Sequence, residues 1–105
     1  MTAIQEAELL AKKISETYKP EKIILFGSVA IGKEKQDSDI DLLIIKKSKK
    51  KRYYRIKEVF ETLRGIKRNY PLDPIVYTPN EIRKRISLGD YFVKRILKEG
   101  KVLYG

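Results

Sequence analysis

Phe26-Gly27-Ser28-Val29-Ala30-Ile31-Gly32, followed by Asp37-Ser38-Asp39-Ile40-Asp41-Leu42, is the stretch on which the fold of this chain turns. An apolar run, Ile23-Ile24-Leu25-Phe26, leads into it, and a second, Leu42-Leu43-Ile44-Ile45, leads out. The pattern predicts a strand, a glycine-bounded turn, a loop and a second strand. Side chains alternate across a strand, so Asp39 and Asp41 project from one face while Ile40 and Leu42 take the other. Two neighbouring carboxylates repel each other unless a cation sits between them. An all-oxygen donor set of this kind suits Mg2+, which completes its shell with water and substrate phosphate. Gly27 lets backbone approach a ligand without a Cβ in the way. A short helix starting at Ser28 would turn its free N–H groups and hydroxyl toward a bound phosphate. A phosphate cradle facing a two-carboxylate site is the equipment for phosphoryl or nucleotidyl transfer.

Outward from this stretch, the rest of the chain supplies helices. Thr2 and Gln5 have the spacing of a capping box, and Ile4, Ala7, Ala11, Ile14 and Tyr18 follow at helical intervals, predicting a helix over 3–18 that stops at Pro20. Residues 22–26 form the first strand. Its apolar run without alternation predicts cover on both faces. Residues 28–32 form a short helical turn, 33–37 a polar loop and 39–46 the second strand. Lys46 to Arg52 holds six basic residues in seven, either a solvated loop or an electrostatic footprint for nucleic acid or polyphosphate. With few aromatic rings among those charges, no single-strand stacking platform is expected there. A helix follows over about 50–69, with Tyr53, Ile56, Phe60 and Leu63 as its buried stripe. Residues 72–77 make a third strand. Thr78, Pro79 and Glu81 open another helix, with Ile82 and Ile86 facing inward, and Gly89-Asp90 ends it. A last helix over about 91–99 stops at Gly100, and 101–104 adds a short strand.

Composition narrows the chemistry. The 105 residues fit one domain. No apolar run approaches the roughly 20 residues needed to span a bilayer, and the N-terminus lacks a signal-peptide pattern, so a cytoplasmic protein without membrane contact is expected. There is no cysteine and no histidine, which leaves carboxylates, lysines, hydroxyls and a metal for catalysis. The net charge of +10 favours anionic partners such as nucleotides, RNA or an acidic protein surface, although plain solubility accounts for it equally well.

Gly27-Ser28, ten intervening residues and then Asp39-x-Asp41 resembles the signature of the DNA polymerase beta-like nucleotidyltransferase superfamily. At this length the chain is similar to its smallest members, the minimal nucleotidyltransferase (MNT) domain proteins. The resemblance runs through the leading helix, both motifs, a later strand carrying Asp73 and the Gly-Lys-Val-Leu-Tyr-Gly ending. It implies an α/β fold, a mixed sheet flanked by helices like the polymerase beta palm. It also implies that Asp39, Asp41 and Asp73 bind metal and act in catalysis, and that Gly27 and Ser28 hold the terminal phosphates. Asp73 would lie on the acceptor side and help deprotonate the attacking hydroxyl. The implied reaction is in-line attack on the α-phosphorus of a nucleoside triphosphate, with pyrophosphate leaving. Two positions depart from the family pattern: Ile31 stands where an arginine is frequent, and Pro74 follows Asp73 directly.

The resemblance further implies an antitoxin that adds AMP from ATP to a tyrosine of a HEPN-domain toxin partner. Two other functions stay open: a non-catalytic protein that masks its partner, and nucleotide addition to RNA. Structural roles also account for the same residues. On that alternative Asp39 and Asp41 are cap or turn residues at a strand entrance, Gly27-Ser28 an ordinary turn, and Asp73 a surface acid before a proline.

Overall fold

Local chemistry sets the element boundaries. Helix α1 (Ala3–Tyr18) opens on a capping box: the Thr2 hydroxyl accepts from the Gln5 N–H at 3.1 Å and the Gln5 side chain from the Thr2 N–H at 2.9 Å. It ends where Lys19 turns left-handed, with Pro20 next. Strand β1 (Lys22–Phe26), the single turn α2 (Gly27–Ala30) and strand β2 (Ile40–Ile45) follow. The remaining elements are α3 (Arg52–Thr62), β3 (Leu72–Tyr77), α4 (Pro79–Ser87), α5 (Tyr91–Glu99) and β4 (Lys101–Tyr104). Helix α4 repeats the capping box through Thr78 and Glu81 with Pro79 in its first turn, and Asp90 caps α5. The computed structural model describes residues 1–35 and 37–105; of the polar loop expected over 33–37, Gln36 lies outside the described residues.

The four strands form one mixed sheet in the order β3-β2-β1-β4. Strand β1 runs antiparallel to both β2 and β4, and β2 runs parallel to β3, with α3 as the crossover. Alternation divides the central strands between two cores. Ile23, Leu25, Ile40, Leu42 and Ile44 pack with α1 and α3 residues such as Leu10, Ile14 and Val59. Ile24 and Leu43 pack with Ile82 of α4 and with Val93 and Ile96 of α5. The central strands are therefore covered on both faces, as their unbroken apolar runs predict. Pro74 lies on the edge strand β3, where a missing ladder donor is tolerated.

Helix α3 differs most from the sequence expectation. It is shorter than 50–69, giving way at Leu63 ahead of Gly65, which has φ +81°. Its buried face also differs. Arg55, Val59 and Leu63 are buried, Ile56 and Phe60 are half-buried, and Tyr53 is 71 % exposed. The rotation has a cause. The Arg55 guanidinium is satisfied inside by the Lys50 carbonyl (2.7 Å), the Val76 carbonyl (3.2 Å) and the Glu81 carboxylate (2.6 Å), and that fixes the helix about its axis. Ile86, expected inward, lies on the exposed side of α4. No described helix is long and apolar enough to cross a membrane.

Candidate active site

The candidate residues gather at one end of the sheet, where β1 finishes and β2 and β3 begin. Phe26 pairs with Asp41 across the β1–β2 ladder, and Asp41 pairs with Asp73 across the β2–β3 ladder. Phe26, Asp41 and Asp73 thus form a row across three strands, with neighbouring strands about 4.8 Å apart. Phe26 is in phase with Ile24, Asp41 with Leu43 and Asp73 with Ile75, so the row faces the α4/α5 side. Asp39 stands two residues before Asp41, just ahead of β2, and its charge reaches the Asp41 carboxyl. Asp39 and Asp73 are exposed, whereas Asp41 is half-buried between them and β1.

Gly27 follows Phe26 with φ +78°, and a Cβ there would run into Oδ2 of Asp41. Only glycine therefore lets the start of α2 sit against the Asp41 carboxylate. Ser28 Oγ donates to Ser38 Oγ at 3.3 Å, and Ser38 Oγ accepts from the Lys35 N–H at 2.7 Å. Ser38 thus ties the turn after β1 to the loop that delivers Asp39. It was not singled out in the sequence, and its only signal there is its place immediately before the Asp-x-Asp.

Electrostatics mark Asp41 as the stressed member. Burial, then the charge of Asp73, then that of Asp39 push its carboxyl up from 3.8 to about 6. A divalent cation beside this row would neutralise that repulsion, and carboxylate oxygens are the donors Mg2+ prefers. Asp39, Asp41 and Asp73 therefore fit such an ion by donor chemistry. Asp41 and Asp73 share a face, but among the described residues no three acidic side chains are drawn together into a closed ligand cluster.

Beside the row opens a cavity of about 230 Å³ walled by Phe26, Gly27, Ala30, Ile31, Phe92 and Ile96. Phe26 and Phe92 meet edge to face, with centroids 5.6 Å apart. Arg95 and Glu99 stand at its rim as an ion pair at 3.2 Å. Its mostly apolar walls suit a flat ring more than a phosphate. Ile31, 59 % exposed, contributes an apolar wall at this point.

Comparison with known proteins bears on the family and the fold. The family described as "Nucleotidyltransferase domain" matches residues 7–103. The fold is similar to a crystal structure from Sulfolobus solfataricus described as that of a candidate nucleotidyltransferase. That likeness has a TM-score of 0.59 and 25 % sequence identity and covers 77 % of this chain and 71 % of the other. No curated protein matches the chain.

Proposed function

The chain belongs to the nucleotidyltransferase domain family, and from that premise we propose that residues 1–105 work as a single minimal nucleotidyltransferase domain of the MNT type. It moves AMP from ATP onto a hydroxyl, the acceptor being a tyrosine of a HEPN-domain toxin, and so acts as the antitoxin of the pair in the cytoplasm. One observation carries the transfer reading. Asp41 lies in register between Asp73 and the Phe26-Gly27 corner, with its carboxylate filling the space that a side chain at position 27 would need.

In this reading Asp39, Asp41 and Asp73 hold Mg2+. When bound, the ion would offset charge on the triphosphate and on the departing pyrophosphate. The protein does the rest by placement. Gly27 and Ser28 hold the terminal phosphates close to backbone, with Ser28 positioned through Ser38. The apolar cavity beside Phe26 and Phe92 takes the base. Asp73, exposed on the edge strand, faces the acceptor and receives its hydroxyl proton. The acceptor oxygen bonds to the α-phosphorus as the bond from that phosphorus to the bridging oxygen breaks, and pyrophosphate leaves.

The test is incubation with α-labelled ATP and Mg2+, with and without the product of the adjacent gene. Label should appear on a tyrosine of the partner and be absent with Asp41→Asn. A stable complex that carries no label, and neutralisation that survives loss of Asp39 and Asp41, would replace transfer by simple masking.

A further inference from the structure

At the far end of the sheet from the carboxylates lies a second surface of opposite charge, and we propose that it binds single-stranded nucleic acid. Strand β2 separates the two ends: Asp41 stands near its start, and Lys47 follows its last residue by two, about 20 Å along the strand. The basic run after β2 is not uniformly free. Lys46 Nζ donates to the Tyr18 carbonyl and sits over the Tyr18 ring, and Lys50 pairs with Glu58 at 2.8 Å. Lys47, Lys49 and Lys51 are exposed and, among the described residues, belong to no ion pair. Lys47 and Lys49 line a groove of about 500 Å³ whose other wall is the start of α4, where Arg83 is likewise outside every ion pair among the described residues.

Arg55 ties the 46–51 loop and the first turn of α4 to the start of α3. Its guanidinium holds the Lys50 carbonyl on one side and the Glu81 carboxylate of α4 on the other. Tyr53 and Tyr54 lie in the first turn of α3, directly after Lys51 and Arg52. They are 71 % and 54 % exposed, and their rings meet edge to face with centroids 5.4 Å apart. Two large aromatic rings thus stand in water directly after the basic run, where the sequence predicts no stacking platform. Phosphates in the groove and bases stacked on the tyrosines would use both features, as single-strand binding surfaces do. An acidic protein would answer the lysines but leave the ring faces unexplained. Glu58 and Glu81, on the helices that flank this end, are already engaged by Lys50 and Arg55, so they do not repel a polyanion strongly.

The experiment is fluorescence anisotropy with a labelled oligouridylate of about 12 nucleotides, without ATP or Mg2+, so that it is independent of the transfer reaction. Neutralising about four phosphates predicts a log–log salt slope of roughly −3, a loss of about fifty-fold in affinity from about 50 to about 200 mM salt. Tyr53→Ala/Tyr54→Ala should weaken binding by at least about fivefold, and Tyr53→Phe/Tyr54→Phe should retain it. Lys47→Gln/Lys49→Gln should flatten the salt slope. All these positions are exposed, and circular dichroism of each variant should superpose on that of the parent. Absence of binding overturns the proposal. So does binding that heparin displaces equally well from parent and tyrosine variants, which would leave only a charged face suited to an acidic protein.

Discussion

Asp41 is where residue-scale physics is most exposed to test. Burial and two neighbouring carboxylates hold its carboxyl at about 6, against 3.8 for an ordinary aspartate. At neutral pH without cation its ionised form therefore weakens the fold. Asp41→Asn should raise the melting temperature in EDTA, by an amount equivalent to about 1 kcal/mol once solvent screening of this half-buried group is allowed for. The same variant should lose any stabilisation that Mg2+ and ATP give the parent. A melting curve in EDTA and one with Mg2+ and ATP check both halves. Gly27 gives a second residue-scale prediction. Gly27 and Gly32 both have positive φ, +78° and +72°, but a Cβ at Gly32 meets nothing within 4 Å while one at Gly27 strikes Asp41. Denaturant titration should show Gly32→Ala costing about 1 kcal/mol, from backbone strain alone. Gly27→Ala should cost clearly more, and only it should also abolish transfer.

At the scale of elements, one buried guanidinium assembles three parts that are distant in sequence. Arg55 of α3 holds the 46–51 loop, the end of β3 and the first turn of α4. Arg55→Ala should cost about 3 kcal/mol, because it strands buried acceptors. Its partner gives the pH dependence. Burial pulls the Glu81 carboxyl upward, but hydrogen bonds from Arg55 and the Thr78 N–H, with the charges of Arg55 and Arg52, hold it below its usual 4.5. A depressed pKa in the folded state means that the stabilisation is complete above 4.5 and is lost as pH falls through the folded value. Stability of parent and Glu81→Gln should therefore differ at pH 6 and converge as the solution is acidified below about pH 4.5, read by denaturant titration at each pH. This network also marks the limit of the sequence. The capping boxes at Thr2 and Thr78, the apolar runs of β1 and β2 and the Asp39-x-Asp41 spacing are local signals, and each element they predict is present. The inward face of α3 is not local. Tyr53 and Arg55 both sit at plausible helical spacings, and burial of Arg55 depends on a carbonyl 21 residues away and a carboxylate 26 residues away. Ser38 was illegible for the same reason, since its role is a contact with Ser28 across a loop.

At the scale of the whole molecule, charge is polarised along the sheet. Asp39, Asp41 and Asp73 stand at one end of β2 and β3, and the Lys46–Arg52 run stands at the other. On the proposals above, the acidic end would draw cations and through them a nucleotide's phosphates, while the basic end would draw polyanions directly. The excess of +10 is the sum of this arrangement and the lysines elsewhere, and it must be held together against its own repulsion. Much of that repulsion is between exposed groups, so it is screened over a Debye length of about 10 Å at 0.1 M salt. Raising NaCl from about 10 to about 200 mM should therefore stabilise the fold, by about 1 kcal/mol, or roughly 4–8 °C in melting temperature for a chain of this size. Lys47→Gln/Lys49→Gln/Lys51→Gln removes three exposed charges without touching either core, so it should melt higher than the parent at low salt and converge with it at high salt. Scanning calorimetry of both proteins across the salt series separates this from packing, which would shift the two curves equally at every concentration.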